Sequence, residues 1–359
     1  MKAAMFSMTS VSSKRIIESM RKHFDTVDHI DVREVELRIG RGKPALLHNG
    51  VPLKEDYDCV FIRTSFRYAL IQYALATFYE GKTYLPIKPD AYNIVNDKML
   101  THIALEKAGI STPETYISPT IESAKVMLNS LNFPIILKIP GGTHGKGVMF
   151  AESVASASGI LDTLEGLKQA VLIQEYVETG GTDIRAVVVG DEVVGAMVRK
   201  ATKDEKRANI HQGGSAEAIL LDPNSKRVAI KTAKALGADI CAVDILESVK
   251  GPLVLEANLS PGLQGIMVAT GRDIAEDMGK YLAKKTQEYK NQTSKTTATA
   301  QKIVDAVAPN SGKMQQIYAK LDFRGSRILL SELVSKMSGF KDEEVLIRLK
   351  NGKIEIERT

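Results

Sequence analysis

The segment that decides the fold is Ile240–Gly262, which has the sequence ICAVDILESVKGPLVLEANLSPG. It contains two apolar runs of strand length, and their succession predicts two β-strands. Asp244 lies inside the first run, whereas Glu256 and Asn258 end the second. Because residues i and i+2 of a strand face the same side, Glu256 and Asn258 converge, and a neighbouring strand could bring Asp244 beside them.

The oxygen atoms of these three side chains predict a metal site. Ligand sets made only of carboxylate and amide oxygens suit Mg²⁺ or Mn²⁺ rather than zinc. The alternative is three solvated polar groups at strand ends. The metal site is favoured because both carboxylates follow strongly apolar runs, and a buried carboxylate must be paired or metal-bound.

A glycine-rich loop over residues 141–147 is the second candidate for chemistry. It follows a predicted strand, Ile135–Lys138, in which Lys138 supplies a cation. Glycines allow backbone N–H groups to approach phosphate oxygens. A flexible turn is the alternative, and it is the more common cause of a lone glycine loop. The loop is not a Walker A motif, because no Gly-Lys-Ser/Thr opens a helix, and it is not a Rossmann fingerprint.

Two polar segments further along the chain complete the set of candidates. Gln174–Val177 ends an apolar strand, where backbone groups can meet an adenine edge, and Asp183 follows closely and can accept from ribose hydroxyls. An ordinary strand end is the alternative. Arg199 opens a basic run that extends to Gly214 and can clamp a transferring phosphoryl group and an anionic substrate. The alternative there is a solvated loop, since most charge runs are solvated.

The order of predicted elements indicates an α/β fold, with α+β character in the later lobes. Strands alternate with helices at the N-terminus, which predicts a parallel sheet covered on both faces. The dipeptide Asn49-Gly50 predicts a hairpin with a type I′ turn. The predicted segments are 1–95, an N-terminal α/β domain; 96–175, a small lobe; 176–289, a large lobe with the metal site; 290–312, a polar linker; and 313–359, a small appended α/β module.

Composition excludes several classes of protein. The 359 residues are 44% hydrophobic and 25% charged, which is typical of a globular chain with two or three domains. The net charge of +5 is too small to indicate direct nucleic-acid binding. Cys59 and Cys241 stand alone in apolar stretches, which argues against zinc and for free thiols in a reducing compartment. No apolar run reaches the ~18 residues of a membrane span, and we expect a cytoplasmic protein.

The order of these elements resembles the ATP-grasp superfamily, and the closest resemblance is to the RimK-type α-L-glutamate ligases. The similarity extends over residues 1–285 and is weaker over the first 95. The segments that carry it are Gly142–Val148, Gln174–Val177, Asp183–Arg185, Val189–Val194, Arg207–Gly214, Val243–Leu246 and Glu256–Leu263. The resemblance implies an ATP-grasp fold with an N-terminal pre-ATP-grasp domain, and the C-terminal module lies outside the family pattern.

The resemblance also implies roles for individual residues. The implied ATP contacts are Lys98 and Lys138 at the phosphates; Gly142, Thr143, Gly145 and Gly147 in the glycine loop; Glu175, Tyr176 and Val177 at the adenine; Asp183 at the ribose; and Arg207, Ala208 and Asn209 at the triphosphate. The implied catalytic residues are Arg199 and Arg207, of which Arg199 stabilises the acyl phosphate or the tetrahedral intermediate. Asp244, Glu256 and Asn258 would hold one or two Mg²⁺ or Mn²⁺ ions, and two are expected.

The implied reaction is an ATP-dependent ligation through an acyl phosphate. We expect it to add L-glutamate to a protein C-terminus or to the carboxylate of a cofactor or other small molecule, and we expect a homo-oligomer. Gln212 stands where Arg is common in the family and Gln264 where Glu is common, so the acceptor stays open. Two rival functions also stay open. One is a biosynthetic ligase of the same fold that uses another amino acid in a carrier-linked pathway, and the other is a non-catalytic ATP-binding regulator.

Overall fold

Three parallel strands organise the N-terminal part of the chain. The structure, a computed structural model, describes residues 1–40, 44–53, 56–140, 147–200, 215–307, 322–324, 327–329, 345–350 and 353–358. The N-terminal elements are β1 (Lys2–Ser7), α1 (Val11–His23), β2 (Thr26–Asp31), β3 (Val35–Arg38), β4 (Ala45–His48), β5 (Val51–Pro52), β6 (Cys59–Arg63), α2 (Ala69–Tyr79) and α3 (Pro89–Asn96). β1 lies between β2 and β6, and both pair with it in parallel, which confirms the predicted parallel sheet.

A small antiparallel sheet of β3, β4 and β5 accompanies this parallel sheet. The chain turns between β4 and β5 at Asn49 and Gly50, whose φ angles are 51° and 75°. Positive φ at both central residues is the requirement of a type I′ turn. The predicted Asn-Gly hairpin is therefore confirmed.

The second part of the chain forms a four-stranded antiparallel sheet. Its elements are α4 (Lys98–Lys107), β7 (Thr115–Ile117), α5 (Ile121–Met127), β8 (Ile135–Lys138), β9 (Val148–Ala151), α6 (Val154–Gly166) and β10 (Leu172–Glu175). The strand order is β7-β10-β8-β9. α4 begins where Asp97 accepts hydrogen bonds from the backbone N–H groups of Met99 and Leu100 at 2.8 and 3.0 Å. This cap fixes Lys98 as the first residue of the helix.

The third part forms a five-stranded antiparallel sheet packed against helices. Its elements are β11 (Thr182–Val189), β12 (Glu192–Lys200), β13 (Ser215–Ala218), α7 (Pro223–Ala235), β14 (Ile240–Ser248), β15 (Gly251–Asn258), α8 (Gln264–Thr270) and α9 (Ile274–Val307). The strand order is β13-β12-β11-β14-β15. The two strands predicted from Ile240–Gly262 are thus neighbours at one edge of this sheet.

The chain divides into two compact units, Met1–Tyr289 and Lys290–Thr359. α9 continues to Val307, so residues 290–307 of the predicted polar linker are helical. The reason is that this stretch contains neither Gly nor Pro, and its Lys, Gln and Ala residues favour a helix. The other predicted domain boundaries stay predictions.

The second unit also contains four short strands among its described residues. They are β16 (Asp322–Arg324), β17 (Arg327–Leu329), β18 (Val345–Lys350) and β19 (Lys353–Arg358). β18 and β19 pair in antiparallel register, and Asn351 and Gly352 between them lie outside the described residues. In the described part of the chain, no helix combines the length and the apolar character that crossing a membrane requires.

Candidate active site

The carboxylates of Asp244 and Glu256 emerge side by side from neighbouring strands. Asp244 in β14 pairs directly with Glu256 in β15, so both side chains lie on one face of the sheet. Asn258 follows two residues after Glu256 and therefore faces the same side. The structure brings together the three residues that the sequence predicts as metal ligands.

Two arginines hold the Asp244 carboxylate. Arg185 donates from Nε to Oδ1 at 2.8 Å and from Nη2 to Oδ2 at 2.7 Å, and Arg199 donates from Nη2 to Oδ2 at 2.8 Å. Burial of Asp244, which is 2% exposed, opposes its ionisation, but the two guanidinium groups outweigh burial and hold the pKa of Asp244 well below its usual value. The buried Asp244 is thus paired with arginine and anionic.

The same network includes Asp183. Both Asp183 oxygens accept hydrogen bonds from Arg199, each at 2.6 Å. The structure therefore places Asp183 beside Asp244, through the shared Arg199, and Arg199 directs its donors at two carboxylates. The roles that the resemblance implies for Asp183 at the ribose and for Arg199 at the acyl phosphate stay predictions.

Glu256 has a different environment from Asp244. Its side chain is exposed, and among the described residues it makes no hydrogen bond or ion pair. The surrounding protein still removes part of its hydration, and this loss together with the Asp244 charge raises the pKa of Glu256, whereas Arg185 and Lys138 oppose the increase. Of these two carboxylates, Glu256 is therefore the one more open to a new cationic partner.

The three side chains offer only oxygen ligands, which fits Mg²⁺. Asp244 Oδ1 accepts a single hydrogen bond and Glu256 accepts none from described residues, so lone pairs remain for a cation. Asn258 Oδ1 accepts from the Ser260 backbone N–H at 2.8 Å. Within the described ranges, no group of three or more His, Cys, Asp and Glu side chains could hold a metal, so the candidate depends on the asparagine amide.

Two lysines of the second part of the chain, one in β8 and one in α4, lie near Glu256. Lys138 ends β8 and is 7% exposed, and Lys98 opens α4 and donates to the Pro140 carbonyl at 3.3 Å. Burial lowers the pKa of Lys138 to about 8; the Glu256 charge opposes this decrease and the Lys98 charge adds to it. Burial also lowers the pKa of Lys98, which the Glu256 charge opposes. Cations from the second part of the chain therefore come close to the carboxylates of the third part at Glu256.

The segment predicted to meet adenine follows β10. Glu175 Oε1 accepts from the Glu114 backbone N–H at 2.9 Å, which fixes this side chain at the end of the strand. The Tyr176 ring packs edge to face on Phe150, with 5.2 Å between ring centroids. Val177 follows directly and is half-buried. The hydrogen bond at Glu175 and the ring contact at Tyr176 thus hold this segment in place.

Comparison with known proteins identifies the family. A family model described as a RimK-like ATP-grasp domain matches residues 95–282. The chain belongs to the RimK-like ATP-grasp family. A probable alpha-L-glutamate ligase of Marinomonas sp. (strain MWYL1) is 36% identical over 276 residues, which cover 76% of this chain and 91% of that protein.

Two solved structures share the ATP-grasp fold. The RimK domain ATP-grasp protein of Sphaerobacter thermophilus DSM 20745 is 22% identical, with a TM-score of 0.60 over 78% of this chain and 99% of that chain. The ATP-grasp ligase PsnB, complexed with minimal precursor, Mg and ADP, is 18% identical, with a TM-score of 0.62 over 79% of this chain and 97% of that chain. The predicted fold and family are confirmed, and with them the prediction of an ATP-dependent ligase.

Some predicted contacts of the RimK-like ATP-grasp site lie outside the described residues. They are Gly142, Thr143, Gly145, Arg207, Ala208 and Asn209. Gly147, at the end of the same loop, is described with a φ of 75°, and its carbonyl accepts from the Ile139 backbone N–H at 2.9 Å. The glycine at this position is required because only glycine adopts such a φ without strain.

Three residues that the structure places at the RimK-like ATP-grasp site have no role predicted from the sequence. Arg185 carried a signal, since a charge two positions after Asp183 in an apolar strand must share its face and find a partner. His102 lies one helical turn after Lys98, so the helical period would have placed it beside that lysine. Thr115 carried no signal, because its position depends on the pairing of β7 with β10.

Proposed function

We propose that this protein is a ligase that uses ATP and Mg²⁺ to join L-glutamate to a carboxylate through an acyl phosphate. The observation that carries the proposal is the meeting of Lys98 and Lys138 with Glu256, beside Asp244 and Asn258. Such an arrangement suits a nucleotide whose phosphates lie between lysines on one side and metal ligands on the other. The relatives named alpha-L-glutamate ligase support the choice of amino acid.

Lysines and backbone groups would hold the nucleotide in this proposal. Lys98 and Lys138 neutralise phosphate oxygens, and the segment Glu175–Val177 contacts the adenine. The resemblance implies that Arg207 and Asn209, which lie outside the described residues, also contact the triphosphate. These groups position charge before the reaction begins, which is the main contribution of the protein in phosphoryl transfer.

Asp244, Glu256 and Asn258 would hold Mg²⁺. The bound ion would neutralise charge on the transferring phosphoryl group. Arg185 and Arg199 keep Asp244 anionic and oriented, so we assign Arg199 a positioning role in addition to the contact with the acyl phosphate that the resemblance implies. The number of ions and their replacement by Mn²⁺ belong to the same proposal.

The two steps need no covalent nucleophile from the protein. The acceptor carboxylate attacks the γ-phosphorus of ATP, which releases ADP and forms an acyl phosphate. The glutamate amine then attacks the acyl carbon, displaces inorganic phosphate and loses a proton as the amide bond forms. Burial raises the pKa of both cysteine thiols, Cys59 and Cys241, to about 12, so neither supplies a thiolate. Catalysis in this proposal depends on positioning and charge neutralisation.

The proposal includes alternatives that differ in the amine substrate, in the acceptor carboxylate or in whether the protein turns ATP over. A ligase that uses another amino acid would keep the nucleotide site and change the amine site. A non-catalytic ATP-binding regulator would bind ATP without turnover, and the pairing of Asp244 with Glu256 argues against it because both metal carboxylates are present. The homo-oligomer and the cytoplasmic location stay predictions.

A comparison of amines tests the proposal. We expect kcat/KM for ADP release to be higher with L-glutamate than with L-aspartate, L-glutamine or L-lysine, and glutamine to be disfavoured by ~1–3 kcal/mol, the cost of an unmade charge-assisted hydrogen bond. The Glu256→Ala variant should fold and release no ADP with any of them. Preference for lysine or glutamine would contradict the glutamate assignment while leaving the ligase mechanism intact. ATP binding without ADP release in any mixture would favour the regulator.

A further inference from the structure

Gln174 connects the phosphate lysine to the strand that leads into the adenine segment. It lies in β10 directly before Glu175, and its side chain is 2% exposed. Across β10 and β8, Leu172 pairs with Lys138, so Gln174 and Lys138 are diagonal neighbours on one face of the sheet. Lys138 Nζ donates to Gln174 Oε1 at 2.5 Å. The buried lysine is therefore held by a neutral amide.

The direction of each hydrogen bond around Gln174 follows from its partners. Lys138 can only donate, so the amide oxygen must face it. The amide nitrogen donates to Thr115 Oγ1 at 2.8 Å, and Thr115 in turn donates to the Pro113 carbonyl at 2.8 Å. The same amide nitrogen donates its other hydrogen to His102 Nε2, with 3.2 Å between the two nitrogen atoms. The amide thus uses one acceptor and two donors at once.

His102 completes the network in its neutral form. Burial and the charges of Lys138 and Lys98 lower the pKa of His102 to about 4, so its ring carries a single N–H at neutral pH. Because Nε2 accepts from Gln174, the proton is on Nδ1, which has no hydrogen-bond partner among the described residues. His102 lies in α4, four residues after Lys98, so the network reaches the helix that begins with the second lysine.

We propose that Gln174 is a positioning residue that holds the Lys138 ammonium in place for a nucleotide phosphate. The inference rests on the proposed function, since it assumes that Lys138 contacts phosphate. No other side chain of this length supplies the same three hydrogen bonds: a carboxylate cannot donate to Thr115 and His102, and an apolar side chain makes none of the bonds. A neutral partner also leaves the lysine charge available to the phosphate, whereas a carboxylate would neutralise it.

Nucleotide binding to the full-length protein with Mg²⁺ tests this role. We expect Gln174→Met, which keeps the size of the side chain but removes its polar tip, to weaken the binding of ADP and of a non-hydrolysable ATP analogue by about tenfold, the loss of one charge-assisted contact. Adenosine, which has no phosphate, should bind the variant and the wild type with similar affinity. Gln174→Glu should also weaken the binding of ADP and leave the binding of adenosine unchanged. Gln169→Met, at an exposed glutamine of the same part of the chain, is the matched control and should bind ADP like the wild type.

A double-mutant cycle separates positioning from a structural effect. If Gln174 acts through Lys138, then Gln174→Met in a Lys138→Met background should change the ADP affinity by less than twofold. Additive losses in the cycle, an equal loss of adenosine and ADP affinity, or wild-type ADP affinity in Gln174→Met would each overturn the inference. If Gln174→Met does not fold, the cycle is measured with Gln174→Glu. Failure of the wild-type protein to bind ADP at all would instead refute the proposed function.

Discussion

At the scale of single residues, the charge of Lys138 depends on its buried surroundings. Its pKa of about 8 means that part of the population is neutral just above physiological pH. A bound phosphate favours the ammonium, so nucleotide binding above pH 8 must take up a proton. We therefore expect the Kd for ADP to rise as the pH increases from about 7 to about 9.5, by up to about tenfold per unit above pH 8.

Calorimetry in buffers of different ionisation enthalpy measures this proton uptake directly. The Lys138→Arg variant is the control, because arginine stays charged over this range and should remove the pH dependence. A Kd that is constant over the range in the wild-type protein would contradict the combination of a lowered pKa of Lys138 and its contact with the phosphates.

At the same scale, the sequence predicts some contacts of the site and not others. The convergence of Glu256 with Asn258 follows from the period of a strand, and the structure agrees. The pairing of Asp244 with Arg185 and Arg199 could not be predicted, because it depends on β11 lying between β12 and β14. That order is a property of the whole sheet and has no local signal.

At the scale of elements, the turn between β11 and β12 packs tightly against α9. Gly190 has a φ of 64°, and a Cβ atom there would lie 2.2 Å from the Tyr281 ring. Gly180 has a similar φ of 63°, with no atom within 4 Å of such a Cβ. We expect Gly180→Ala to cost ~1–2 kcal/mol of the free energy of unfolding through backbone strain alone, and Gly190→Ala to cost ~1–3 kcal/mol more through overpacking.

Urea denaturation of the two variants measures the difference between their free energies of unfolding. Equal losses of stability would contradict the contact between Gly190 and Tyr281. The sequence predicts the turn itself, since Gly190-Asp191 separates two apolar runs. It does not predict the helix that packs there, because contacts between α9 and the turn join residues far apart in sequence.

Elements with strong periodicity were predicted well, and short or polar ones were not. β8 has the predicted ends, because Pro134 and Pro140 flank its apolar run. The short strand β7 carried no clear pattern. The helical continuation over 290–307 was missed because its polar composition obscured the helix propensity of its residues.

At the scale of the whole molecule, the boundary between the two units lies inside α9. The N-terminal half of α9 packs into the first unit, where the side chains of Ile274, Met278 and Leu282 are each at most 1% exposed. We expect a chain of residues 1–292 to keep the unfolding temperature of the first unit. A chain of residues 1–273, which lacks these apolar contacts, should not fold.

Circular dichroism during heating compares the two truncated chains with the full-length protein. Loss of the folded state in the chain of residues 1–292 would show that the second unit stabilises the first. In that case residues 313–359 would not be an independent module.

The most direct test of the central claim follows the oxygen atoms of the acceptor. A synthetic peptide with an isotopically labelled C-terminal carboxylate is incubated with ATP, Mg²⁺, L-glutamate and the protein, and the inorganic phosphate is analysed by mass spectrometry. Ligation through an acyl phosphate transfers one labelled oxygen to each phosphate released, in equal amount with ADP and with the new amide bond, and Glu256→Ala should give none of these products. Amide formation that releases unlabelled phosphate would contradict the acyl-phosphate mechanism.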